Sequence, residues 1–524
     1  MTGYQENESI LFHNKEETVF LIDIPQSIAE AQSLSPVQSL DQTSVSELEE
    51  SHTSSKSKPQ IRRLISTPPL EHPYSSSTEP KTNAARGRIL SRVSPGERRY
   101  HDEFIQPLVI AALNELQTAY KPSSPDTRWC LPRAVHNEGT EQPRMESILD
   151  AAASTGKKRK SDYLQHGSVT EDSDGNALNS DIPCSSDDPP IILSSSSCNT
   201  FPVLTELAGG VVKNSSSEQS ILSISTPGNG SDHDGPDPST YMIPPQSTFL
   251  LCTLPLSDTE GMRPPIPGFP HNQQFNLIVF DPPWPNRSVK RSRKYQTHSY
   301  NEMELLTSWI QDVLTVHSHN WLFDSQTPSN TITNSSPKAQ VPSQQNFAAI
   351  WITNSEKARG AAYSALSQNG FSIHEEWIWV KVTAEGEPVY PVNGVWRKPY
   401  EILVIGRAIE GTEGATVGPM GSDLMSTDEV LENNIDLLGL DPGTVPRRAI
   451  AAVPDLHSRK PNLKSMFERF LFSSSTDSGL SESSRPSYTA LEVFARNLTA
   501  GWWACGNEVL KFNASDCWTE PGDE

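Results

Sequence analysis

The apolar run Phe275-Asn276-Leu277-Ile278-Val279-Phe280 ends abruptly in Asp281-Pro282-Pro283-Trp284. A short continuous apolar run of this kind reads as a buried strand. Neither proline can donate to a sheet ladder, so the chain must leave the sheet at this point. An acid and an indole are thereby left at the carboxyl end of a strand, where open α/β sheets bind ligands.

That pairing suits one reaction, methylation of an aromatic exocyclic amine. The amine of adenine is a weak nucleophile because its lone pair is delocalised into the ring. A carboxylate accepting one N–H and a rigid carbonyl accepting the other return electron density to the nitrogen. Asp281 and the Pro282 carbonyl are the candidate acceptors, and Pro282 and Pro283 stiffen the loop so that little reorganisation is needed. Trp284 is the candidate to stack on a base taken out of its strand. The competing reading is a strand-end turn whose tryptophan packs in the core.

The next residues are basic. Arg287, Lys290, Arg291, Arg293 and Lys294 lie within ten residues of Trp284, with Asn286 and Tyr295 at the ends of the run. The chain as a whole carries 42 basic and 64 acidic residues, so a local basic run calls for a reason. Contact with phosphates supplies one.

Strand and helix patterns alternate after this motif, which predicts an α/β fold. A helical stripe over 301–317 is followed by a polar insertion near 325–345. A strand is expected at 347–353, a helix at 355–369 ended by Gly370, and strands at 371–382 and 401–405. Trp377 and Trp379 alternate with Ile378 and are expected to pack on one face. A second, acidic insertion spans 408–445. A helix at 462–472 and strands near 489–495 and 507–512 complete a catalytic domain at 239–515, leaving a tail at 516–524.

Upstream, Ser- and Pro-rich composition predicts mostly disorder over 1–95, interrupted by strand-like pieces such as Glu17–Asp23. A helical segment is expected in 96–135, mainly from Pro107 onward because proline suits only a first turn. A disordered linker fills 136–238, with the tract Lys157-Lys158-Arg159-Lys160 a candidate nuclear import signal. The six cysteines form no Cys-x-x-Cys pair, so neither a zinc ribbon nor a disulfide framework is indicated, and no metal site is read. No apolar run has the length of a membrane span, and a protein that is nuclear, with a cytoplasmic fraction also allowed, is the expectation.

Several ordered blocks extend the first motif: Ile278–Trp284, Asn286–Ser292, Trp351–Asn354, Glu376–Lys381, Lys398–Glu401, His457–Pro461, Phe494–Asn497 and Gly506–Phe512. Together they resemble the DPPW-type adenine N6-methyltransferases, the family of the mRNA adenosine methyltransferase catalytic subunit, and within it the branch of methyltransferase-like protein four. The resemblance implies S-adenosylmethionine as methyl donor and a Rossmann-like domain with permuted motif order, the base-binding motif preceding the main donor segment. It places Glu492, Arg496 and Asn497 near the donor ribose, Asn507 and Glu508 near its adenine, and Lys460 at its carboxylate, with Asp281 alongside. Lys398 and Glu401 join the substrate side. The implied substrate is adenine in nucleic acid, RNA favoured (a small nuclear RNA by branch) and DNA the alternative; a silent nucleic-acid-binding subunit is a third reading. No membrane association and no obligate protein partner are expected.

Overall fold

The computed structural model describes residues 9–34, 62–75, 79–122, 128–135, 188–225, 239–256, 264–284, 302–319, 345–409, 442–456, 459–472 and 488–519. The expected loops at 325–345 and 408–445, the tract 157–160 and the basic run from Asn286 to Tyr295 lie wholly or almost wholly outside these residues.

The fold is mixed α/β around one large sheet. Its centre is β11 (Leu277–Phe280), flanked in parallel by β12 (Phe347–Ile352) and β16 (Ala490–Val493). Beyond β16 lie β17 (Trp503–Gly506) and β10 (Thr248–Leu251), again parallel. On the other side β14 (Tyr400–Ala408) runs antiparallel between β12 and β13 (Phe371–Lys381). Next to β13 come β15 (Arg447–Ala452) and β2 (Val19–Ile22), both parallel, and then β1 (Ile10–His13) at the edge. At the opposite edge β7 (Val211–Lys213) and β5 (Ile191–Ile192) complete twelve strands. The remaining strands form small sheets: β3 (Ile65–Ser66) with β4 (Ala134–Val135), and β6 (Asn199–Phe201) with β8 (Ser220–Ile224) and β9 (Ser239–Ile243).

The central strands are apolar throughout because both faces are covered. One face carries Ile278, Phe280, Ala348, Ile350, Ile378 and Val380 under helices α4 (Gln106–Ala119), α5 (Glu302–His317) and α6 (Glu356–Gln368). The alternate residues, including Val279, Trp351, Trp377 and Trp379, pack beneath α1 (Ile24–Ala31) and α7 (Lys464–Leu471). Trp377 stacks on Phe467 with ring centroids 5.1 Å apart. The two tryptophans thus belong to the core.

Four expectations need correction. Residues 9–34 are an integral edge of the sheet, with Val19, Phe20 and Leu21 paired to Ala449, Ile450 and Ala451. Strands also occupy 191–224, inside the stretch expected to be a disordered linker. The strand placed near 507–512 lies at 503–506, and 511–513 is a short 3-10 turn. The C-terminal residues up to Thr519 are packed rather than a tail: Trp518 is buried, and its Nε1 donates to the Phe512 carbonyl at 2.9 Å. Each of these segments is short or polar on average, so its ordering comes from distant partners rather than from its own pattern.

The helical segment also begins earlier than Pro107 suggests. Helices α2 (Asn83–Leu90) and α3 (Pro95–Arg99) precede a π-helical turn at Tyr100–Ile105 that runs directly into α4. The wider turn lets the chain continue past a proline that lacks an N–H and would crowd an α-helical carbonyl. It also buries Tyr100 and His101 side by side. The Tyr100 hydroxyl donates to Glu376 at 2.7 Å, and His101 Nδ1 lies 2.9 Å from the Tyr400 hydroxyl.

Candidate active site

Strands β11, β12, β13, β15 and β16 share one direction, so the loops that follow them open on one edge of the sheet. Asp281 is the first residue beyond β11, and its amide donates to the Val493 carbonyl at 3.2 Å. Lys460, from the loop after β15, places Nζ 2.6 Å from Asp281 Oδ1 and 3.5 Å from Glu401 Oε2. Lys381, the last residue of β13, binds the other oxygen of Glu401. Two carboxylates and two ammonium groups therefore alternate along the sheet edge. Burial works against the Glu401 charge, but Lys460 and Lys381 outweigh it and bring its pKa down to about 2. Burial likewise opposes the Lys460 charge, and Asp281 with Glu401 overcomes it, raising the pKa.

A pocket partly open to solvent adjoins this cluster. Asp281, Lys460, Glu492, Arg496 and Asn497 all line it, together with Arg459 and Phe512. These five, from three separate segments, are among the seven residues that the family resemblance assigns to the donor; the other two are Asn507 and Glu508. Glu492 differs electrostatically from its neighbours: burial, then the nearby Asp281 charge, pushes its pKa up to about 8. At neutral pH it is largely a protonated acid, able to donate as well as accept.

Phe494, directly after β16, has φ of +63°. Such a conformation is costly for a bulky residue and recurs at ligand sites. Gly506 faces it at φ +143°, and a Cβ there would lie 3.3 Å from Phe494 Cα. The glycine of the Gly506–Phe512 block thus permits the close approach of β17 to the turn after β16.

Arg459 was not singled out from the sequence. Its Nη1 donates to Asp455 at 2.6 Å and to the Ile65 carbonyl at 3.0 Å, and its guanidinium lies over Phe512, 4.3 Å from the ring centroid. Nε and Nη2 are buried with no hydrogen-bond partner among the described residues. Orphaned charged donors in a pocket wall are expensive unless a polar ligand meets them. The available signal was its place beside Lys460 in the block ending at Pro461.

Other predicted residues are not brought into the pocket. Trp284 is 5% exposed, and its Nε1 donates to the Trp351 carbonyl at 2.6 Å. Its indole is a core residue beneath the turn, which corrects the expectation of a base-stacking face. The Pro282 carbonyl already accepts the Trp284 amide at 2.8 Å, leaving one lone pair for another donor. Glu401 is committed to two lysines rather than free to meet a substrate. Lys398 is half-buried on the side of Asp102, Glu79 and Glu97, and is not part of the pocket wall. Glu508 pairs with Arg496 at 3.3 Å and Lys511 at 2.7 Å; neither it nor Asn507 lines the pocket.

Residues 336–508 match the MT-A70 family model. Over 289 residues the chain is 32% identical to the N6-methyladenosine RNA methyltransferase MTA1 of Cryphonectria parasitica, covering 54% of this chain and 65% of the relative. It is 30% identical over 281 residues to the N(6)-adenine-specific methyltransferase METTL4 of Mus musculus, 53% of this chain and 44% of the relative. A longer match, 23% over 438 residues, covers 81% of this chain and 96% of the DNA N6-methyl methyltransferase of Caenorhabditis elegans. The chain spans less than two thirds of the length of the first of these relatives. The span 336–508 that matches the MT-A70 model holds Glu401, Lys460, Glu492, Arg496 and Asn497, while Asp281 precedes it.

Proposed function

We propose that this protein is an S-adenosylmethionine-dependent methyltransferase acting on the exocyclic N6 amine of adenine in nucleic acid. One observation carries the reading: Asp281, at the carboxyl edge of β11, is held by Lys460 in the wall of a polar pocket that also contains Glu492, Arg496 and Asn497. The relatives' names support the reaction class and divide on the substrate, two naming RNA or adenine and one DNA. RNA is the favoured substrate, by the likeness to MTA1.

The pocket fits the donor chemically. Arg459 offers two orphaned buried donors, and Lys460 has three N–H groups, of which Asp281 and Glu401 engage two. Lys460 and Arg459 would meet its carboxylate end, and Glu492, Arg496 and Asn497 its ribose hydroxyls. Asn507 and Glu508 remain candidates for its adenine only by resemblance. When bound, the donor supplies an electrophilic methyl group on a sulfonium centre. A Rossmann-like domain with permuted motif order is the reading the family resemblance implies, and the mixed α/β build around one large sheet supports it.

Asp281 acts as a polarising acceptor for one amine N–H, and the free lone pair of the Pro282 carbonyl serves as the second acceptor. Lys460 keeps the Asp281 carboxylate in place through a direct ion pair. Trp284 anchors the turn from below through its bond to Trp351. Preorganised acceptors of this kind lower the barrier because they need not reorient as charge develops on nitrogen. Asn286, Arg287, Lys290, Arg291, Arg293, Lys294 and Tyr295 would guide the flanking phosphates and bases.

The test is transfer of labelled methyl groups to matched single-stranded RNA and DNA oligonucleotides, comparing the wild type with Asp281→Ala. Transfer to adenine that disappears in the variant supports the reading and selects the nucleic acid. Absence of both transfer and donor binding supports a silent nucleic-acid-binding subunit instead. Action without an obligate protein partner is tested by the same assay on the purified chain. Nuclear residence, proposed from Lys157–Lys160, is tested by fusing that tract to a reporter; a reporter that stays outside the nucleus overturns it.

A further inference from the structure

Residues 81–99 hold six basic residues and one acid, in a chain whose net charge is −22. They form α2, inside the stretch expected to be mostly disordered, and α3, at the start of the expected helical segment. Helix α2 buries none of its residues, so the core does not explain its presence. What positions it is polar. Thr82 caps its first turn, Arg86 Nη2 donates to the Asn393 carbonyl at 2.8 Å, and Ser94 donates to Glu356 at 2.7 Å, in the first turn of α6.

Asn393 belongs to the hairpin between β13 and β14, residues 382–399, which rises from the same carboxyl edge as Asp281. The hairpin is tied to the N-terminal segments at several points. Glu79 accepts the amides of Val395 and Trp396 at 2.9 and 3.1 Å. Gly386 lies flat against Trp129, where a Cβ would come within 2.3 Å of the indole. Trp396 is held 52% exposed by this arrangement, unlike the other tryptophans in the described residues, most of which are buried.

The cations of α2, α3 and the hairpin have no carboxylate within ion-pair distance among the described residues: Arg86, Arg88, Arg92 and Arg98 from the helical segment, which Arg86 ties to the hairpin, and Arg397 next to Trp396. Nearby acids are otherwise engaged. Glu97 is buried against Arg359 and His101, Glu103 pairs with Arg99, and Asp102 accepts from Gln106. An uncompensated guanidinium row with an exposed indole is the pattern that binds single-stranded nucleic acid, phosphates on the arginines and a base on the ring. Trp396 stands five residues before Glu401, which touches Lys460 in the active-site cluster. Five residues of extended chain span at most about 17 Å.

We propose that α2, α3 and the tip of the 382–399 hairpin form a docking track for single-stranded nucleic acid, with Arg88, Arg92 and Trp396 gripping nucleotides that flank the target adenine. This rests on the proposed activity but concerns where the substrate runs. Its residues are other than those of the basic run that follows Trp284 in the sequence. The geometry gives the N-terminal region a role in substrate binding, delivered by a helix with no place in the core.

The experiment measures binding of a labelled single-stranded RNA, and of its DNA counterpart, by fluorescence anisotropy across a salt series. The full-length chain is compared with Arg88→Ala/Arg92→Ala and with Trp396→Ala. For single strands each phosphate contact contributes about 0.7 to the slope of log affinity on log salt. Loss of two contacts should lower the slope by about 1.4 and weaken binding about 25-fold at ~0.1 M salt. Trp396→Ala should weaken binding with the slope unchanged. Thermal midpoints and donor binding serve as controls for folding. Affinity and slope equal to wild type in the arginine variant overturn the track, as does a wild type that binds neither oligonucleotide. Wild-type binding that depends on these residues, without methyl transfer, upholds the track and removes the proposed activity.

Discussion

Replacing Glu492 with Gln tests the electrostatics of the pocket through stability alone. Burial and the Asp281 charge raise the Glu492 pKa from 4.5 to about 8. The unfolded chain therefore loses this proton near pH 4.5, while the folded protein holds it until about pH 8. Between those values the folded state binds more protons, so stability falls as pH rises and levels off above the folded pKa. A full displacement of this size corresponds to about 4–5 kcal/mol, of which roughly 1 is already spent at pH 5. Partial solvation at the pocket wall lowers the expected loss between pH 5 and 9 to about 2–4 kcal/mol. Glu492→Gln cannot lose a proton, so its stability should lack this component. Urea unfolding at pH 5, 7 and 9 measures it: the variant's advantage should widen steadily with pH. Parallel curves for the two proteins would show that Glu492 is ionised in the fold, and the reasoning about the pocket would be wrong.

Four further outcomes are expected. Lys460→Ala leaves the partly buried Asp281 without this cation and should destabilise the fold by about 1–3 kcal/mol, as well as weaken donor binding measured by calorimetry; donor affinity equal to wild type would remove Lys460 from the site. Trp284→Phe keeps the apolar bulk and loses one hydrogen bond, so a stability loss of about 1–2 kcal/mol is expected with nucleic-acid affinity within about twofold; a large affinity loss would restore the stacking role. Tyr100→Phe and Tyr363→Phe each remove a hydroxyl from Glu376 Oε1, where both donate at 2.7 Å. Each should cost about 1–2 kcal/mol, and the pair should be non-additive by double-mutant cycle. A chain beginning at residue 239 should fail to yield soluble folded protein, since it lacks β2 and exposes the paired edge of β15; a cooperative unfolding transition from that fragment would refute the sheet's dependence on residues 9–34.

The site was legible where chemistry and chain order coincide. Asp281, Lys460, Glu492, Arg496 and Asn497 were named from short blocks, and the fold brings them around one pocket because each block follows or ends a strand of the same direction. Arg459 was missed because its importance is a matter of what it lacks. Two unpartnered donors cannot be seen without knowing every neighbour. Trp284 was misjudged for the converse reason: the residue type allowed either stacking or packing, and only the Trp351 carbonyl decides between them.

Local pattern by itself determined the strands and helices of the central α/β unit. A run such as Leu277–Phe280 or Phe347–Ile352 is apolar at every position and is stable only when buried on both faces. Tertiary structure decided the extent of the domain. Residues 9–34, 191–224 and 511–519 are too short or too polar to order themselves; the first and last are held by segments hundreds of residues away, and β7 pairs with β10 across a shorter gap. Those contacts are non-local, and their stability depends on surfaces that exist only once the central sheet has formed.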